Sequence, residues 1–148
     1  LRFRVPVTKY ATDSAQFIAA QLKDVGITCT IEELDFTRWL SEVFTKGDYD
    51  MTIVAHVETR DIGQFAKPGY YWHYDNRDFQ QLIADADVAP PAQFDGIMKK
   101  AARMLADDAA ACWLWLMPNL LVARTGISGI PANATSLSFD LATITSKN

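Results

Sequence analysis

Residues 27–57 read ITCTIEELDFTRWLSEVFTKGDYDMTIVAHV, and this stretch decides the fold. Ile27, Cys29 and Ile31 alternate with Thr28, Thr30 and Glu32, which is the period of a half-buried strand. The alternation slips at Glu32 and Glu33, before Leu34 and Phe36, so a bulge or strand end is expected there. Thr37 then suits the cap of a helix in which Trp39 faces Val43 and Leu40 faces Phe44, with Gly47 as its stop. MTIVAHV follows at once, and its continuous apolar centre suits a strand covered on both faces.

Outward from this stretch the same rhythm continues. Upstream, LRFRVPV at residues 1–7 is strand-like, and Thr12, Asp13 and Ser14 are cap residues for a helix carrying Ala15, Ile18, Leu22 and Val25, stopped by Gly26. Strand, helix, strand, helix, strand with short connections predicts an α/β domain with an open, mostly parallel sheet flanked by helices. Downstream, Asp75 or Asn76 caps a helix bearing Phe79, Leu82, Ile83 and Ala86. Pro90 with Pro91 starts another, with Phe94, Ile97, Met98, Ala101, Leu105 and Ala109 on one face. Both helices are expected to pack on the sheet. The run CWLWLMPNLLVAR, residues 112–124, reads as a buried strand broken by Pro118. The division expected is a lobe over residues 1–130 and a polar segment over residues 131–148.

At 148 residues, 49% of them hydrophobic, the chain is long enough to bury a core. Its formal charge is −4 with scattered Lys and Arg, which argues against a nucleic-acid partner. The most apolar stretch, residues 109–123, is too short to span a bilayer and reads as core. The opening at Leu1, already inside a strand-like run, reads as a processed piece whose signal or anchor would lie upstream. Cys29 and Cys112 are compatible with one disulfide, but both sit in apolar surroundings and read rather as buried thiols. Asn133, Ala134 and Thr135 form a glycosylation sequon, a triplet common by chance.

The chemistry concentrates in the segment ETRDIGQFAKPGYYWHYDN, residues 58–76, too long for an ordinary connection. In open parallel sheets ligands bind beyond the carboxyl ends of the strands, and the third strand delivers His56 to that edge. The candidate binding residues are His56, Glu58, Arg60, Asp61, Tyr70, Tyr71, Trp72 and Tyr74. Aromatic faces supply contact area, and a carboxylate beside them holds a ligand amine by a charge-assisted hydrogen bond. Alternatively, Tyr70, Trp72 and Tyr74 simply pin the loop to the fold. Metal binding is a further reading, because His56, Glu58, Asp61 and His73 lie in or beside this loop. A metal-dependent hydrolase would use His56, Glu58 and His73, although the spacing of the two histidines matches no zinc pattern. Gly126, Ile127, Ser128 and Gly129 miss the nucleophile elbow, which needs Gly where Ile130 stands. No P-loop or GxGxxG is present, so neither a catalytic set nor a cofactor is expected. The neighbouring acids Glu32 with Glu33 and Asp107 with Asp108 read as solvated faces.

Several of these motifs recur together in a known family. SAQFIAAQLKDVGITCTIEELDFTRWLSEVFTKGDYDMTIVAH, followed by KKAARMLADDAAACWLWLMPNLLVAR, resembles the C-terminal lobe of the extracytoplasmic solute-binding proteins of family 5. These serve ABC importers of peptides and nickel. The resemblance covers residues 5–130 and implies one lobe of a type II-like periplasmic binding protein that closes on its ligand about a hinge. It further implies a periplasmic or extracellular location, partnership with importer membrane subunits, and a peptide or similar small solute as ligand. The family's loop after the central strand reads Trp, an acidic residue, then Asp-Pro. Here His56 takes the Trp position, Asp61 that Asp, and Ile62 replaces the Pro, leaving Glu58 and Asp61 as the two candidates for a ligand's amino terminus. A lobe without its partner would expose hinge-facing apolar surface from Trp113 to Leu121, so self-association is expected of it.

Overall fold

A computed structural model describes residues 1–58, 60–118, 120–131 and 140–146. The sequon lies outside the described residues, as does most of the expected polar segment. The chain divides into two compact units, Leu1–Ala111 and Cys112–Asn148, each described by itself; residue 130, the expected boundary, lies within the second.

In the first unit, β1 (Arg2–Pro6) pairs in parallel with β2 (Thr30–Leu34), joined by helix α1 (Lys9–Asp24). The register runs unbroken from Arg2 opposite Thr30 to Pro6 opposite Leu34, so the bulge expected at Glu32 and Glu33 is absent. Glu32 interrupts the apolar pattern because it pairs with Arg4 of the neighbouring strand, not because the strand ends.

The expected third strand contracts to one parallel bridge, Met51 opposite Phe3, with Met51 N–H donating to Arg2 O and Arg4 N–H to Met51 O. The next rung would need an N–H on Pro6, and proline has none. Beyond that point side-chain hydroxyls take over: Tyr10 OH accepts from Ala55 N–H at 2.9 Å, and Thr52 Oγ1 accepts from Trp39 Nε1 at 3.0 Å.

Helix α1 begins a turn earlier than its cap residues predict. Thr12 and Ser14 donate their hydroxyls back to the carbonyls of Thr8 and Tyr10, within the helix, and so do not cap it. Gly26, at φ +85°, ends it as expected. The second helix, α2 (Phe36–Arg38), is capped by Asp35, whose carboxylate accepts from Arg38 N–H, and not by Thr37. It continues as a π-helical stretch, Trp39–Thr45, that buries Trp39 and Val43.

Helices α3 (Arg77–Val88) and α4 (Pro91–Asp107) follow, α3 capped by Asn76 and α4 opened by Pro91. They do not share a core with the sheet. Phe79 and Ile83 of α3 and Ala101 and Leu105 of α4 bury Phe65, which lies on a 3-10 turn (Asp61–Ala66) inside the long connection. A second core under the sheet holds Phe3, Val5, Ala11 and Ala15, and a third holds Leu34, Trp39, Val43 and Tyr71. The connection therefore supplies core residues that fill the position expected of the sheet.

In the second unit the described residues of 112–124 form no strand, against expectation, and Trp113, Trp115, Leu116, Met117, Leu120 and Val122 are exposed. An extended apolar run stays buried only where a neighbouring strand or layer covers it. Cys112 is likewise exposed and Cys29 half-buried, so the thiols are not the buried pair expected. A two-residue antiparallel pairing, β3 (Ile127–Ser128) with β4 (Thr145–Ser146), completes the described structure. No helix among the described residues is long and apolar enough to cross a membrane.

Candidate ligand-binding site

The candidate site is built where the chain leaves Met51 and enters the long connection. His56 is half-buried, its ring lying parallel to that of Tyr71 at 5.9 Å and 5.0 Å from that of Trp72. Its Nδ1 lies 3.1 Å from Asp61 Oδ1 and its Nε2 2.7 Å from the Tyr71 hydroxyl. A carboxylate only accepts, so Nδ1 carries the proton in this contact, and in the neutral ring Nε2 accepts from Tyr71. Arg60, in the left-handed conformation at φ 56°, turns the chain immediately before Asp61, a geometry that a non-glycine residue holds only under constraint from its surroundings. Ligand atoms of His56, Glu58 and Asp61 all fall within 4.8 Å of one another.

Glu58 is exposed; one of its oxygens accepts from Tyr70 OH at 3.3 Å and the other from Gln64 Nε2. Burial, reinforced by the Glu58 carboxylate, pushes the Tyr70 phenol up to about 12. Burial also raises Tyr71 well above the ordinary tyrosine range, so both hydroxyls are neutral donors at physiological pH. Arg60 turns away from these acids. Its guanidinium donates to Asp87 at 2.8 Å and lies over the Phe94 ring at 5.2 Å.

The remaining aromatics divide in role. Trp72 stacks on Phe65 at 4.0 Å between two of the cores, and its Nε1 is buried without a hydrogen-bond partner. Tyr71 is 5% exposed and belongs to the third core, where its carbonyl accepts from Tyr49 OH. Tyr74 donates to Asp108 at 2.6 Å, and Asn76 donates to the same oxygen. These bonds hold the Asp108 carboxyl below its ordinary range, while burial and Asp108 push Tyr74 up to about 12. Asp108 is exposed, as its sequence suggests, and also tethers Tyr74 and Asn76.

Of the eight candidates, His56, Glu58, Asp61, Tyr70, Tyr71 and Trp72 gather in one cluster, whereas Arg60 and Tyr74 reach other partners. His73 does not join them: it stacks on Tyr49 at 6.5 Å and its ring lies against Gly47, so the metal set His56, Glu58 and His73 is not assembled. Asp61 stands in its place. Sequence reasoning missed Gln64, which binds Glu58, although its spacing from Asp61 is that of one 3-10 turn.

This arrangement sits on a framework found elsewhere. The oligopeptide-binding protein AppA from Bacillus subtilis, solved in complex with a nonapeptide, superposes with a TM-score of 0.65 at 16% identity. The fold is shared with an oligopeptide-binding protein. The match takes in 74% of this chain and 24% of AppA, so the chain corresponds to about a quarter of that protein. No family model matches the sequence, and no curated protein does. The likeness to AppA shows an α/β framework, with the small parallel sheet described above.

Proposed function

We propose that this chain is the ligand-binding lobe of an ABC-importer substrate-binding protein that captures peptides or similar small solutes outside the cytoplasm. The observation that carries the reading is the framework shared with AppA, a protein that binds oligopeptides. The loop adds chemistry suited to the task. Glu58 and Asp61 offer two carboxylates to a ligand's amino terminus, and Tyr70 and Trp72 offer aromatic surface beside them. The family 5 resemblance of the sequence supports a periplasmic or extracellular location and partnership with importer membrane subunits.

The test is peptide affinity of the full-length protein carrying this chain, measured by calorimetry with a chelator present. A charge-assisted hydrogen bond contributes about 1.5–3 kcal/mol, so Glu58→Gln or Asp61→Asn is expected to weaken binding by about tenfold or more. Unchanged affinity in both variants rejects the assignment of the amino terminus to these carboxylates. Absence of peptide binding by the unaltered protein rejects the function itself.

A further inference from the structure

Glu58 and Asp61 lie within reach of each other, yet the guanidinium of Arg60, between them in sequence, is committed to Asp87. Among the described contacts the nitrogen facing this pair is His56 Nδ1, on Asp61. Two carboxylates and an imidazole converging without a fixed cation form a donor set with an electrostatic deficit that a cation would fill. Gln64 holds Glu58 in this cluster through its amide nitrogen, a neutral donor that leaves the carboxylate's charge uncompensated.

We propose that His56 Nδ1, Glu58 and Asp61 bind a divalent transition-metal ion of the zinc class. The inference does not rest on the peptide-binding reading. One nitrogen and two oxygen donors suit zinc, whose bonds of about 2.0–2.2 Å place tetrahedral ligands about 3.4 Å apart. The His56 and Asp61 atoms stand at 3.1 Å, and the full set lies within 4.8 Å, so closure requires a movement of about 1 Å by the exposed Glu58 side chain. Calcium or magnesium fits less well, because both prefer oxygen donors throughout.

Tyr71 makes the exchange local. When the ion takes Nδ1, the ring proton moves to Nε2, and the Tyr71 hydroxyl at 2.7 Å changes from donor to acceptor. It is a positioning residue: held in the third core, it fixes the ring that meets the ion. Three protein ligands leave a coordination position open, so the ion could itself receive a carboxylate or amine from a bound solute.

The experiment uses the whole chain, stripped with chelator and dialysed, then titrated with zinc chloride by calorimetry in the absence of peptide. One ion per chain is expected, with a rising thermal midpoint, and cobalt(II) in place of zinc should give visible absorption bands from the protein-bound ion. Glu58→Gln and Asp61→Asn, chosen because they preserve shape, should each lower affinity about tenfold or more, and Tyr71→Phe should lower it by about tenfold and alter the cobalt spectrum. His73→Ala should bind as the unaltered chain does. No binding at about 1 mM zinc, or wild-type affinity in both carboxylate variants, overturns the proposal. Because no peptide is present, that result would leave the peptide reading standing.

Discussion

Arg4 sits in the middle of β1 with its side chain 6% exposed, between the core residues Phe3 and Val5. All three of its guanidinium nitrogens are engaged. Nε donates to Glu32 at 2.9 Å, one terminal nitrogen to Glu42, and the other to the Asp48 carbonyl at 2.8 Å and carboxylate at 2.9 Å. The three acids belong to β2, the π-helical stretch and the turn before Met51, so one side chain ties three segments to the central strand. Replacing it by Met keeps the aliphatic volume and leaves three carboxylates facing one another. Removing one partner of a buried ion pair costs about 3–5 kcal/mol. The low end applies here, because Glu32, Glu42 and Asp48 are 38%, 25% and 49% exposed and can recover hydration. A loss of about 3 kcal/mol corresponds to a fall of about 10 °C in melting temperature for a chain of this size. Thermal unfolding followed by circular dichroism reads it directly. Arg4→Lys should recover only part of the loss, since an ammonium cannot reproduce the planar fork. A midpoint for Arg4→Met within about 2 °C of the unaltered chain would refute the view that this cluster holds the sheet edge together.

Acid should weaken the same region. Hydrogen bonds from Arg38 and then Arg4 hold the Glu42 carboxyl below its ordinary range, and Arg2 does so for Asp48. Carboxyls depressed by folding contribute stability that is complete above their unfolded values and lost as pH falls through the folded ones. Urea midpoints should therefore be level above about pH 5 and decline progressively below about pH 4; a midpoint that rises on acidification contradicts the pairing. The exposed apolar side chains of the second unit, Trp115, Leu116 and Val122 among them, predict self-association of the isolated chain at high concentration. Sedimentation velocity showing a clean monomer there would refute it.

Legibility varied with the range of the interaction. Helices α3 and α4 were readable because their caps, apolar faces and breakers are local: Asn76 bonds the N–H groups of Asp78 and Phe79, and Pro91 opens its helix. Gly26 was readable for the same reason. The cap of α1 misled, because Thr12 and Ser14 are equally able to bond back within a helix as to start one. The candidate loop was legible as a place and less so as a set of roles. Its aromatic and acidic content stood out, but Tyr71 proved to be core and Tyr74 a tether to Asp108, 34 residues away.

The sequence by itself determined the helix-forming segments, the alternation of strands and helices, and the location of the chemically rich loop, because periodicity and capping act over a few residues. Tertiary structure decided the rest. It showed that Pro6 stops the third strand after one rung, a consequence visible only once β1 and Met51 are paired. It turned Glu32 from an apparent strand end into a partner of Arg4, and of Asp61 and His73 it brought only Asp61 beside His56 and Glu58. Each of these depends on which distant backbone lies alongside, and spacing along the chain does not encode that.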